Sequence, residues 1–111
     1  MFIIVGMYIF FMAEGITCRP IANCKNSKQN GYLITDCRNY KGQTLNSIPG
    51  NLMPEVQILK LQENRIAKLT NSSFDIYPNI KELLLSDNVL HTIKPGSLSV
   101  LNELELLDLS G

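Results

Sequence analysis

Apolar positions in the C-terminal half of the chain return at a spacing of 24 residues. Laid on itself at that offset, the chain places Val56 over Ile80 and Leu104, Leu59 over Leu83 and Leu107, and Leu61 over Leu85 and Leu109. The first two copies continue in step with Asn64 over Asn88, Ile66 over Leu90, Leu69 over Ile93 and Phe74 over Leu98. Ser73 over Ser97, Ile76 over Val100 and Tyr77 over Leu101 extend the agreement. A fixed period of this length marks a repeated supersecondary unit, in which each copy buries its apolar side against its neighbours. Leu-x-Leu predicts a short strand in each copy, its two leucines pointing to one face and the residue between them to the other. If every copy advances a coil by one turn, the strands stack in parallel about 4.8 Å apart and form a curved, concave wall. Ile66, Leu69 and Phe74, with their counterparts, then close the core from the convex side.

Asn64 and Asn88 are polar positions in this apolar frame, and an amide buried without partners would cost a few kcal/mol. Each side chain carries two donors and an acceptor, enough to bond the backbone of its own turn and of the next one. Their expected role is a structural ladder along the coil, not ligand binding.

The N-terminal region follows another pattern. Residues 2–13 form an uncharged apolar run that is too short for a membrane-spanning helix, which needs roughly 20 residues. Ala13-Glu14-Gly15 follows, with small residues where a signal peptidase reads, so residues 1–15 are expected to be a signal peptide cleaved after Gly15. Secretion would expose Cys18, Cys24 and Cys37 to an oxidising compartment, where disulfides form. Asn30-Gly31 is a strong hairpin-turn signal and residues 32–35 read as the strand after it, so a hairpin closed by Cys24–Cys37 is expected. Cys18 is left unassigned: it pairs with a cysteine outside this chain, with another chain, or with nothing.

Residues 59–66 (LKLQENRI) and 83–90 (LLLSDNVL) resemble the leucine-rich repeat of the extracellular, 24-residue type. Cys37, Leu45, Ile48-Pro49, Leu52 and Pro54 resemble the cysteine-containing N-terminal cap of such ectodomains, those of Toll-like receptors included. The resemblance covers residues 18–111 and implies an α/β-type solenoid. Its expected form is a right-handed coil with a short parallel β-sheet on the concave face and a disulfide-closed hairpin as N-cap. The implied organisation is signal peptide 1–15, cap 16–54, first repeat 55–79, second repeat 80–103 and the truncated start of a third, 104–111. Two departures stand out. The cysteines are not clustered as in the caps of small matrix proteoglycans, and Met53 separates Leu52 from Pro54. The chain also stops where the asparagine of the third repeat would come, which is expected of a fragment.

On the concave wall the outward positions are Ile58, Lys60 and Gln62, then Glu82, Leu84 and Ser86, then Leu106 and Asp108. Candidate contacts are Lys60, Gln62, Glu82, Leu84, Ser86 and Asp108, a mixed set that names no pocket. Asn71-Ser72-Ser73 is the single glycosylation sequon and falls on the convex loop side. Residues 16–54 carry five basic side chains against one acidic, too few charges to define a polyanion site, and no nucleic-acid motif accompanies them. The sole histidine, His91, has no ligand partner at metal spacing and reads as a loop residue. No catalytic constellation, cofactor motif or metal set is present in the sequence. The expected function is ligand recognition by a Toll-like ectodomain outside the cell, binding a protein or a microbial or glycan ligand on the concave or lateral face. Receptor dimerisation would belong to the parent protein, and the membrane would be reached only through a segment downstream. The alternative is a secreted matrix or adhesion protein on the same scaffold.

Overall fold

A computed structural model describes residues 24–38 and 44–111. The expected signal peptide and Cys18 lie outside the described residues. Strands β1 (Lys25–Gln29) and β2 (Tyr32–Asp36) pair antiparallel. Asn30 at φ 53° and Gly31 at φ 84° make the turn between them. Left-handed backbone at both central residues twists a two-residue turn in the same sense as its flanking strands, and Asn-Gly adopts it with little strain. A disulfide between Cys24 and Cys37 closes the open end of this hairpin.

Along the chain follow β3 (Ile58–Lys60), β4 (Lys68–Leu69), β5 (Glu82–Leu84), β6 (Thr92–Ile93) and β7 (Leu106–Asp108). One sheet has the order β1-β2-β3-β5-β7, and a second pairs β4 with β6 in parallel. In the larger sheet Leu59 is the register partner of Leu83, and Leu83 of Leu107, so the 24-residue period of the leucines is the strand register. The hairpin joins this frame directly. Ile34, Thr35 and Asp36 are the register partners of Ile58, Leu59 and Lys60. Cys37 N–H donates to Lys60 O as Leu61 N–H does to Leu84 O and Leu85 N–H to Asp108 O. Thr35 and Cys37 therefore stand where the two leucines of a repeat would stand. Thr35 is fully buried, and its hydroxyl donates to Asn26 Oδ1 at 2.8 Å, which provides the partner a buried polar group needs.

Behind the sheet lie Val56, Leu59, Leu61, Ile80, Leu83 and Leu85, packed against Ile66, Leu69, Phe74 and Tyr77 from the opposite side. Burial depends on having a neighbouring turn of chain. Leu69, with β6 beside it, is 0% exposed; Ile93, its counterpart with no further strand beside it among the described residues, is 46% exposed.

The helical part of the expected α/β class has no counterpart among the described residues. Where a helix could connect the two sheets, successive tight turns run instead. Ser73 N–H donates to Thr70 O and Tyr77 N–H to Phe74 O, then Ser97 N–H to Lys94 O and Leu101 N–H to Leu98 O. Pro78 ends the first series, and Gly96 at φ 82° breaks any helical run in the second.

Candidate functional site

The strands hold their outer face in place through the turns that follow them, and the two asparagines organise those turns. Asn64 is 5% exposed. Its Oδ1 accepts from Leu45 N–H at 2.9 Å, and its Nδ2 donates to Cys37 O, Leu61 O and Gln62 O at 3.0, 3.0 and 3.2 Å. Asn88 repeats this one turn later, accepting from Ile66 N–H at 2.9 Å and donating to Leu61 O, Leu85 O and Ser86 O. Leu61 O thus accepts from both amides and links them. The two asparagines differ in one detail: the donor to Asn88 lies 22 residues before it, whereas Leu45 lies 19 before Asn64. Cys37 keeps the 24-residue spacing to Leu61, so the cap carries three more residues between Cys37 and Leu45 than a repeat does between Leu61 and Ile66.

The turn also demands left-handed backbone at one position. Glu63 at φ 63°, Asp87 at φ 59° and Gly111 at φ 86° are 24 residues apart. Glu63 N–H donates to Ser86 O, and Asp87 N–H to Ser110 O. Glu does not advertise this conformation, whereas Asp and Gly are among the residues that tolerate it.

The outer face is built in rows. Strand register aligns Lys25, Asp36, Lys60, Leu84 and Asp108 across all five strands, and beside them Ser27, Ile34, Ile58, Glu82 and Leu106. Lys60, Leu84 and Asp108 are thereby brought into one line, with Glu82 in the next; Gln62 and Ser86 continue from the strand ends. Lys60, Gln62, Glu82, Leu84, Ser86 and Asp108 are all half-buried, and Leu106 is exposed. The extension of these rows into the hairpin was missed from sequence, although Thr35-x-Cys37 lies one period before Leu59-x-Leu61. Asp36 is held by Arg38 through a two-pronged ion pair, with Arg38 Nη2 2.7 Å from Asp36 Oδ2. At the other end Ser110 donates to Asp108 through both hydroxyl and N–H, which lowers the carboxyl's pKa. On the flank Lys81 pairs with Glu103 at 3.2 Å and lies 3.9 Å from Glu105; the Glu103 contact raises its pKa. Gln62 Oε1 is buried and accepts no hydrogen bond from the described residues.

Tyr77 fastens the cap to the first repeat. Its ring is fully buried, while its hydroxyl donates to Pro49 O and accepts from Leu52 N–H at 3.1 Å. Burial pushes the phenol's pKa up, opposed by the smaller effect of the Leu52 hydrogen bond. Asn71 is exposed in the turns after β4, and its Cβ would lie 3.9 Å from a Cβ placed on Gly96. His91 is exposed, and its Nδ1 lies 2.9 Å from Thr92 Oγ1.

Residues 54–111 match the Leucine rich repeat family model. The chain is 31% identical over 93 residues to leucine-rich repeat-containing protein 3 of Bos taurus, an alignment covering 84% of this chain and 34% of that protein. It is 43% identical over 65 residues to Toll-like receptor 2 of Macaca fascicularis, covering 59% of this chain and 8% of the receptor. Similarity to the leucine-rich repeat and immunoglobulin-like domain-containing nogo receptor-interacting protein 1 of Xenopus tropicalis is 28% over 95 residues, 86% of this chain and 14% of that protein. The chain spans about a third or less of the length of these relatives. The family match covers more than half of the chain and includes the pairs β3–β5, β4–β6 and β5–β7, each in register at the repeat period; the chain belongs to the leucine-rich-repeat family.

Proposed function

We propose that this chain is the N-terminal cap and first repeats of an extracellular recognition ectodomain of Toll-like type. In this reading the repeats coil right-handed, residues 1–15 direct secretion, and the outer sheet face is the concave surface that meets a protein, microbial or glycan ligand. Lys60, Gln62, Glu82, Leu84, Ser86 and Asp108 are its contacts, Asn71 carries a glycan, and the asparagines serve the scaffold alone. The chain acts as a non-catalytic platform. The supporting observation is the unbroken register of outward-facing side chains from the cap to β7, which sets charged, polar and apolar groups in lines on one rigid surface.

Expression in secretory cells tests this reading. The chain should reach the medium with Ile16 at its N-terminus, Cys24–Cys37 oxidised, and a mass that falls on glycosidase treatment unless Asn71 is replaced by Gln. Retention inside the cell with residues 1–15 intact would sink it. The coding sequence downstream should then supply a transmembrane helix and a Toll/interleukin-receptor signalling domain.

A second reading is a secreted matrix or adhesion protein built on the same scaffold. It rests on the scaffold being shared beyond Toll-like receptors: the nogo receptor-interacting protein matches 86% of this chain, against 59% for Toll-like receptor 2. This alternative expects a C-terminal cap followed by a stop or an anchor.

A further inference from the structure

Away from the outer sheet face, the cap and the first repeat enclose an open groove of about 660 Å³. Small-molecule sites generally range over roughly 300–1,000 Å³. One wall comes from the cap loop at Asn46, Ser47 and Ile48, the other from the segment between β4 and Ile76, and His91 reaches in from the second repeat. We propose that this groove binds a single sulfated sugar unit, independently of whatever partner the outer face takes.

Three features specify that chemistry. Among the described residues Lys68 and His91 are the only ionisable side chains lining the groove, and none of its described lining residues is a carboxylate, so its charge favours an anion. With a single lysine, it suits a monoanion rather than a polyanion. The second feature is a surplus of donors. Thr70 Oγ1 lies 3.2 Å from Ser73 Oγ and 3.4 Å from Ser72 Oγ, and it accepts from Ser72 N–H. Ser73 Oγ accepts from Thr70 N–H at 2.8 Å. Three hydroxyls share two mutual contacts, so one O–H of the three has no acceptor within the cluster and is free to donate outward. A sulfate ester stays charged throughout the physiological pH range and offers three acceptor oxygens to such a donor and to the Lys68 ammonium. Third, Ile48 and Ile76 line the same groove, and Ile76 is 48% exposed. The C–H face of a pyranose ring covers apolar surface of this size while its hydroxyls face water. The cap wall is also fixed in place, because the Tyr77 hydroxyl grips the backbone of Pro49 and Leu52 on either side of Gly50.

The test is an NMR titration of the folded chain with N-acetylglucosamine 6-sulfate, run beside N-acetylglucosamine and glucuronic acid. The sulfated sugar should give saturable amide shifts centred on Lys68, Ser72, Ser73 and His91, and Lys68→Gln should weaken it by about fivefold or more. Lys68 is exposed, so the variant should keep the circular dichroism and unfolding midpoint of the parent. Equal binding of the neutral sugar would overturn the proposal. So would indifference to Lys68→Gln, shifts centred on Lys60, Leu84 and Asp108, or no saturable shift with any of the three. Preference for glucuronic acid would overturn the choice of sulfate.

Discussion

Replacing Asn64 by Ala tests the hydrogen-bonded ladder where it is most enclosed. The substitution leaves Leu45 N–H, Cys37 O and Gln62 O without the amide that meets them, whereas Leu61 O keeps the Asn88 Nδ2 donor at 2.9 Å. A buried backbone group left without a partner costs about 1–3 kcal/mol. Leu45 N–H and Cys37 O, around a side chain only 5% exposed, set the expected loss at about 3 kcal/mol, the Gln62 O contact being the longest at 3.2 Å. Asn88→Ala removes as many bonds, but Asn88 is half-buried and water can reach the groups it leaves, so about 1–2 kcal/mol is expected. Urea unfolding followed by circular dichroism measures both, with the slope unchanged if only native stability moves. Asn64→Asp sharpens the test. It keeps an acceptor for Leu45 N–H but aims a carboxylate at the carbonyl oxygens of Cys37, Leu61 and Gln62. That environment raises the folded-state pKa of the new carboxyl above its unfolded value, so the variant should lose stability as pH rises through that range and recover it on acidification. A loss below about 1 kcal/mol for Asn64→Ala, or a larger loss for Asn88→Ala, would refute this account of the ladder.

Tyr77→Phe should keep the core filled and lose the cap latch, lowering stability by about 1–2 kcal/mol and speeding exchange of the Leu52 amide in hydrogen-exchange measurements. Because burial raises the Tyr77 pKa, the neutral phenol's contribution is complete below the unfolded value near 10 and is lost as pH rises through the folded value; the Phe variant should lack this alkaline loss. Glu63→Gly removes a left-handed strain of about 1 kcal/mol and retains the N–H bonded to Ser86 O, so a higher urea midpoint is expected, while Glu63→Val should lower it. Reducing Cys24–Cys37 frees a loop of 13 residues' separation, and the midpoint should fall by the equivalent of about 3 kcal/mol, read as the difference between oxidised and dithiothreitol-treated chain.

Features that follow the repeat period are legible in the sequence. Leu59 and Leu83 had to share a face because an interval of 24 residues brings the chain back to the same place on the next turn, and Asn30-Gly31 located the hairpin through its tolerance of left-handed backbone. What stayed hidden was chemistry carried by untypical residues. Thr35 and Cys37 fill leucine positions, one through a hydroxyl bonded to Asn26 and the other through a disulfide, so no hydrophobic match marked the cap strand as part of the sheet. Glu63 and Asp87 are left-handed because the turn to the asparagine requires it, and Glu, unlike Asp, does not signal that geometry. Tyr77 aligned with Leu101 as one more apolar position, and its hydroxyl's reach back to the cap depended on a packing direction that periodicity does not encode. The groove joins residues as far apart in sequence as Asn46 and His91, which share no motif.

The hairpin is thus continuous with the sheet of the repeats and not a separate lid over it. Cys37 carries three connections at once. Its sulfur closes the hairpin to Cys24, its N–H extends the strand ladder to Lys60, and its carbonyl receives Asn64. Asn64 in turn shares Leu61 O with Asn88, so a continuous set of bonds runs from the disulfide into the second repeat. In a quasi-one-dimensional stack, stability is the sum of each unit and its interface with the next, so loosening one end is felt most by its immediate neighbour. Reduction of the disulfide should therefore speed amide exchange at Leu45 and Leu61, which bond into the cap and its neighbouring strand, well before it does so at Leu85. Uniform acceleration across all three would mean that the stack opens as one body, and the graded coupling argued from Cys37 would be wrong.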